Sequence, residues 1–144
     1  MKKASGLIFV VLLACGGGNS GSLNTALNGT WVGPVTLTIA GQSPQAIGNG
    51  QLAVSVSGQD ATVNQVCLDG SGSFTAHGSG NSASWSGSLP CPPIPFTNCS
   101  AVTLTLTSAS ATLNGSVLTA QAAGTASGCG QNPGFTITFT GTKQ

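Results

Sequence analysis

The sequence predicts an all-β protein, a small antiparallel up-and-down β-barrel of about eight strands, with a two-sheet β-sandwich as the alternative. Three observations carry that prediction. Apolar and hydroxyl side chains alternate residue by residue in four segments, the mark of half-buried strands. Asp-Gly and Asn-Gly pairs and glycine-rich breaks separate such segments at short, even intervals. No segment after Cys15 carries a 3.6-residue apolar stripe.

Each strand follows from its own pattern. In WVGPVTLTIAG (31–41), Trp31, Val35, Leu37 and Ile39 share one face while Thr36 and Thr38 share the other. QLAVSVSG (51–58) sets Leu52, Val54 and Val56 against Ser55 and Ser57. ATVNQVCL (61–68) and SGSFTAHG (71–78) are weaker strands, with a tight turn expected at Asp69-Gly70. NSASWSGSL (81–89) carries Trp85 and Leu89 on one parity. PCPPIPF (90–96) is expected to be a long loop, because its prolines have no amide proton to give a sheet. AVTLTLTSA (101–109) turns Val102, Leu104 and Leu106 inward and Thr103, Thr105 and Thr107 outward. SATLNGSVLTAQAAG (110–124) should fold back at Asn114-Gly115, where positive φ costs little. GFTITFTG (134–141) repeats the alternation with Phe135, Ile137 and Phe139 against three threonines.

The outward faces are nearly uncharged. Open strand edges would lack the lysines that usually block edge-to-edge pairing, which favours a closed sheet with the first strand (30–39) beside the last (134–142). Gly29-Thr30-Trp31, opening the first strand, resembles the Gly-x-Trp element that plugs one end of lipocalin and avidin barrels. The resemblance is confined to those three residues, and it implies a lipocalin-like barrel. The arginine that commonly packs over that tryptophan in lipocalins has no counterpart, since the chain contains no arginine.

Residues 1–16 have a separate logic. Lys2 and Lys3 precede an apolar run from Leu7 to Leu13, much shorter than the roughly 18 residues a membrane helix needs. The run ends in Leu12-Leu13-Ala14-Cys15, which resembles the lipobox of a bacterial lipoprotein signal peptide. That resemblance implies cleavage between Ala14 and Cys15, a diacylglycerol in thioether linkage on the Cys15 thiol, and acylation of the new amino group. Two or more acyl chains give stable membrane anchoring where one alone is marginal. The implied organisation is a signal peptide over 1–14, a flexible Gly/Ser tether over 15–23 and a single all-β domain over 24–144. The implied address is the bacterial cell envelope, and Gly16, where an aspartate would favour inner-membrane retention, points to the outer membrane.

Setting Cys15 aside leaves an even set, Cys67, Cys91, Cys99 and Cys129, which reads as a disulfide framework in an oxidising compartment. Four cysteines allow three pairings, and sequence does not choose among them. Cys91 and Cys99 flank PPIPFTN and look like the staple of a surface loop, with Cys67 and Cys129 tying distant parts of the chain. Their spacings fit no compact zinc pattern and His77 is the one histidine, so neither metal nor cofactor is expected.

The 144-residue chain holds three lysines, two aspartates and no glutamate, and only Lys143, Asp60 and Asp69 lie beyond Cys15. No basic patch exists to meet phosphates, which excludes a nucleic-acid partner. Asp60 and Asp69 sit in turn-like contexts, and a hydrolase would have to work through His77 with one of them and a serine. The leading expectation is a non-catalytic, lipid-anchored envelope module with a structural, adhesion or binding role, its partners the membrane and an envelope component. The alternative is a lipocalin-like carrier of a small apolar ligand, with Trp31 and Trp85 in the pocket or else in the core.

Overall fold

The computed structural model describes residues 21–96 and 99–144. The expected signal peptide (1–14), Cys15 and the expected tether up to residue 20 lie outside the described residues. After one 3₁₀ turn at Thr25–Leu27, the elements described are nine strands. They are β1 (Gly29–Ile39), β2 (Gln45–Ser57), β3 (Asp60–Asn64), β4 (Ser73–Ser79), β5 (Ser82–Pro90), β6 (Ile94–Phe96), β7 (Cys99–Asn114), β8 (Val117–Ser127) and β9 (Gly134–Lys143).

The expected eight-strand up-and-down β-barrel and the sandwich alternative both give way to a single antiparallel sheet of nine strands. Its order is β5-β4-β3-β2-β1-β9-β8-β7-β6, and β5 also pairs with β7. The simple meander fails at the proline-rich segment. β7 runs for 16 residues, longer than β5 can cover. β5 takes Thr105–Thr112 of that edge, and Ile94–Phe96 covers the stretch beyond it, where Ile94 pairs Val102 and Phe96 pairs Cys99. An uncovered edge would leave backbone groups to find partners elsewhere, so the segment expected to be a loop contributes a short strand. Pro95 inside β6 denies its outer edge a donor. The first and last strands do pair, Leu37 opposite Ile137 and Ile39 opposite Phe135.

Inward parity follows the sequence except at bulges. Leu104 and Leu106 point inward at even positions, but the register shifts between Leu106 and Ser108, and Ala109, Ala111 and Leu113 continue at odd ones. Thr107, the extra residue, turns its hydroxyl to the Ala123 carbonyl at 3.2 Å. Curvature also needs close approaches. At Gly33 a Cβ would collide with the Thr140 carbonyl of β9, so β1 keeps a glycine in mid-strand.

The two ends of the sheet differ. Two-residue hairpins join β2–β3, β4–β5 and β7–β8, each opening on a glycine near φ +60°, as at Gly115. All three lie at one end. There Leu23, Leu27 and Trp31 pack with Leu113 and Leu118 as a plug. Leu23, assigned to the tether by sequence, belongs to the packed domain, bonding the Gly58 carbonyl at 2.8 Å. The opposite end carries the longer connections. Asp69-Gly70 lies there within a wider β3–β4 loop (65–72), in place of the expected tight hairpin.

Candidate binding cavity

Both disulfides tie the connections at the end away from the plug. Cys67 pairs with Cys91, joining the β3–β4 loop to the end of β5, with Cα atoms 5.6 Å apart. Cys99 pairs with Cys129, joining the start of β7 to the β8–β9 loop, with Cα atoms 5.9 Å apart. The expected Cys91–Cys99 staple is therefore corrected. Cys91 is drawn into the second core cluster, bonding the Leu104 carbonyl through its own amide, and that places it against Cys67.

Between the plug and this disulfide-tied end lies a cavity of about 450 Å³. Its origin is a row of small residues. At mid-height, the inward positions of β4, β5, β7 and β8 are Ala76, Ala83, Ala109, Ala111, Ala120 and Ala122. Leucines flank that row, Leu113 and Leu118 towards the plug and Leu104 and Leu106 towards the other end. On β7 and β8 the long inward side chains stand towards the two ends and are missing between them. Val35, Val54, Phe74, Ile137 and Phe139 supply the rest of the wall, and Leu27 the floor. No polar side chain among the described residues is fully buried. The volume falls within the roughly 300–1,000 Å³ typical of small-molecule sites.

The mouth opens between β2 and the β3–β4 loop. Ile47 and Leu68, 40% and 38% exposed, are the large hydrophobic side chains that face water among the described residues, and both stand at this mouth. Asn49, Gln51, Gln65 and Asp69 form the polar part of the rim. Gln51 donates through Nε2 to Gln65 Oε1 at 2.9 Å. Gln65 adopts φ +65°, a left-handed conformation that turns the chain out of β3. Asp69 accepts from the Ser71 hydroxyl at 2.6 Å and the Ser71 amide at 3.1 Å. Those bonds hold its carboxyl below the usual carboxylate range, the hydroxyl contributing most.

The tryptophans take other places. Trp31, 2% exposed, belongs to the plug and donates through Nε1 to the Leu27 carbonyl at 2.9 Å. Trp85 stacks on Phe74 with centroids 4.6 Å apart and borders a second, more open depression. Neither lines the alanine-walled cavity, though Phe74 connects Trp85 to its wall.

His77 and Asp60 are brought together across β3 and β4, Nδ1 to Oδ1 at 2.5 Å. Their side chains are 73% and 53% exposed on the outer face. Ser84 is the cross-strand neighbour of His77, but among the described residues no serine is hydrogen-bonded to the imidazole. Asp69 stands at the mouth, apart from this pair. No group of metal-ligating side chains is found among the described residues.

The cavity-forming alanines escaped sequence reasoning. Their signal is in SASATLNGSVLTAQAAG, where the inward parity reads Ala-Ala-Leu, turns, and reads Leu-Ala-Ala back. Searches against family models, curated proteins and solved structures returned no match.

Proposed function

We propose that this domain binds a small, largely apolar ligand in the cavity behind Ile47 and Leu68. The observation that supports it is the row of inward alanines bounded by leucines. Packed interiors seldom leave voids of this size, because each lost contact weakens the core. A cavity lined with hydrocarbon, opened to water beside two exposed apolar side chains, has the form of a binding site. The other part of the proposal is the address. Leu12-Leu13-Ala14-Cys15 supports acylation of Cys15 and retention of the domain at a bacterial envelope membrane.

The test is a fluorescence titration with N-phenyl-1-naphthylamine, an uncharged probe that brightens in apolar surroundings. The full chain carrying Cys15→Ser is used, so that its own acyl chains cannot compete. Saturable one-to-one binding is expected, and it should vanish when Ala111→Leu and Ala120→Leu are combined, because these cross-strand partners face the middle of the cavity. A flat titration, or equal binding by the filled variant, sinks the reading. For the address, acyl labelling of the wild-type chain should be lost in Cys15→Ser, and labelling that persists refutes it.

A further inference from the structure

We infer that the rim selects for an uncharged amphiphile with a hydroxyl or amide head group and disfavours a carboxylate. This inference rests on the cavity reading and deepens it. Of the polar residues that line the cavity, Asn49, Gln51, Gln65 and Asp69 stand at the mouth, three carboxamides and one carboxylate, while Ser110 and Gln121 lie on β7 and β8. A carboxamide both donates and accepts, so the Gln51–Gln65 pair and Asn49 can meet a head group that does the same. A ligand carboxylate would need a cation or an array of spare donors, and the rim has no cation. Lys143, the one lysine among the described residues, sits at the plugged end, bonded to the Ala26 carbonyl. His77 lies on the outer face of β4, already paired with Asp60. A carboxylate entering the mouth would meet only Asp69 as a charged neighbour, and like charges repel. A trimethylammonium head group is attracted to Asp69 about as strongly as a carboxylate is repelled, but it has neither donor nor acceptor and forgoes the carboxamide bonds an alcohol can make.

Three ligands of equal chain length separate the possibilities. 1-Decanol, decanoate and decyltrimethylammonium compete with N-phenyl-1-naphthylamine for the Cys15→Ser chain at pH 7 and low ionic strength. The alcohol is expected to displace the probe at about fivefold lower concentration than decanoate, the scale of two unit charges facing each other across water. Asp69→Asn should narrow that gap by improving decanoate alone. Gln51→Leu combined with Gln65→Leu should weaken the alcohol relative to the probe, read as a rise in the alcohol's displacing concentration after scaling by the probe's own dissociation constant in that variant. Equal displacement by alcohol and carboxylate, unmoved by Asp69→Asn, overturns the inference while leaving the cavity reading intact. Displacement by decyltrimethylammonium well below the alcohol overturns it in the other direction. If the probe itself does not bind, the cavity reading fails and this inference falls with it.

Discussion

Lys143 holds its ammonium 5.4 Å from the centroid of the Trp31 ring and donates to the Ala26 carbonyl at 2.9 Å. One side chain from the end of the last strand thus fastens the first strand and the 3₁₀ turn before it. The turn needs such a fastening. It is only three residues long, and its one buried side chain, Leu27, is the floor of the cavity. Trp31 fixes Leu27 from below through the indole bond to its carbonyl, while Lys143 covers the ring.

The two contributions should separate by mutation. Trp31→Ala removes a large side chain from the plug and is expected to cost about 3–5 kcal/mol. Lys143→Met keeps the aliphatic stem over the ring and loses only the cation–π contact and the exposed hydrogen bond, about 0.5–1 kcal/mol. Urea unfolding followed by far-ultraviolet circular dichroism measures both. Equal losses would mean that the charge, and not the buried ring, holds the plug.

The disulfides close loops of 24 and 30 residues at the end opposite the plug. Removing either as a double serine variant should cost about 3–4 kcal/mol through the freed entropy of the unfolded chain. The ligand-related consequences should differ. Cys67–Cys91 anchors the loop that carries Leu68 and Asp69 at the mouth, whereas Cys99–Cys129 lies away from it. Loss of the first should therefore weaken probe binding at a temperature where both variants remain folded. Peptide mapping without reduction checks the pairing itself, and a Cys91–Cys99 peptide would contradict the structure.

Much of the sheet was legible because alternation is a local property. Val35, Leu37 and Ile39 must face one way once the backbone is extended, whatever the rest of the chain does. Pairing is not local. That β5 bypasses β6 for β7 depends on how far the edge of a 16-residue strand projects, which no short window reveals. The cavity was hidden for a related reason. An inward alanine reads as weak alternation until its neighbours across three other strands prove to be alanines too. Cys91 and Cys99 looked like a loop staple because sequence distance was short, yet burial of Cys91 against Leu104 decided its partner.

Filling the cavity provides a stability test independent of any probe. Ala111→Leu and Ala120→Leu add methylenes where there is now space, so each is expected to leave stability unchanged or raise it by about 0.5–2 kcal/mol. The same change at Ala126, buried to 3% in the second core cluster, should instead overpack and cost about 1–3 kcal/mol. Thermal melts of the three variants read the contrast directly. Destabilisation of equal size at all three sites would mean that the middle of the sheet is as tightly packed as its ends.

The Asp69 carboxyl gives the mouth a defined pH response. Its bonds from the Ser71 hydroxyl and amide favour the ionised form, so its pKa in the folded chain lies below the ordinary value of 3.8. The sign follows by linkage. A depressed carboxyl pKa contributes stability that is present above the unfolded-state value and is lost as pH falls through the folded one. The loop should therefore keep its negative charge throughout the neutral and mildly acidic range and lose it only below the range in which a free aspartate side chain titrates. Carbon-detected titration of the Asp69 side chain measures this, and Ser71→Ala should move the midpoint upward. A midpoint unmoved by that change would show that the hydroxyl does not hold the charge. For ligand choice, decanoate becomes neutral as pH falls through its own carboxyl range, near the value of about 4.3 for a free glutamate side chain. Asp69 is still largely ionised there, but it no longer faces a like charge. The carboxylic acid should then approach the alcohol in displacing the probe, and the gap should reopen on returning to pH 7.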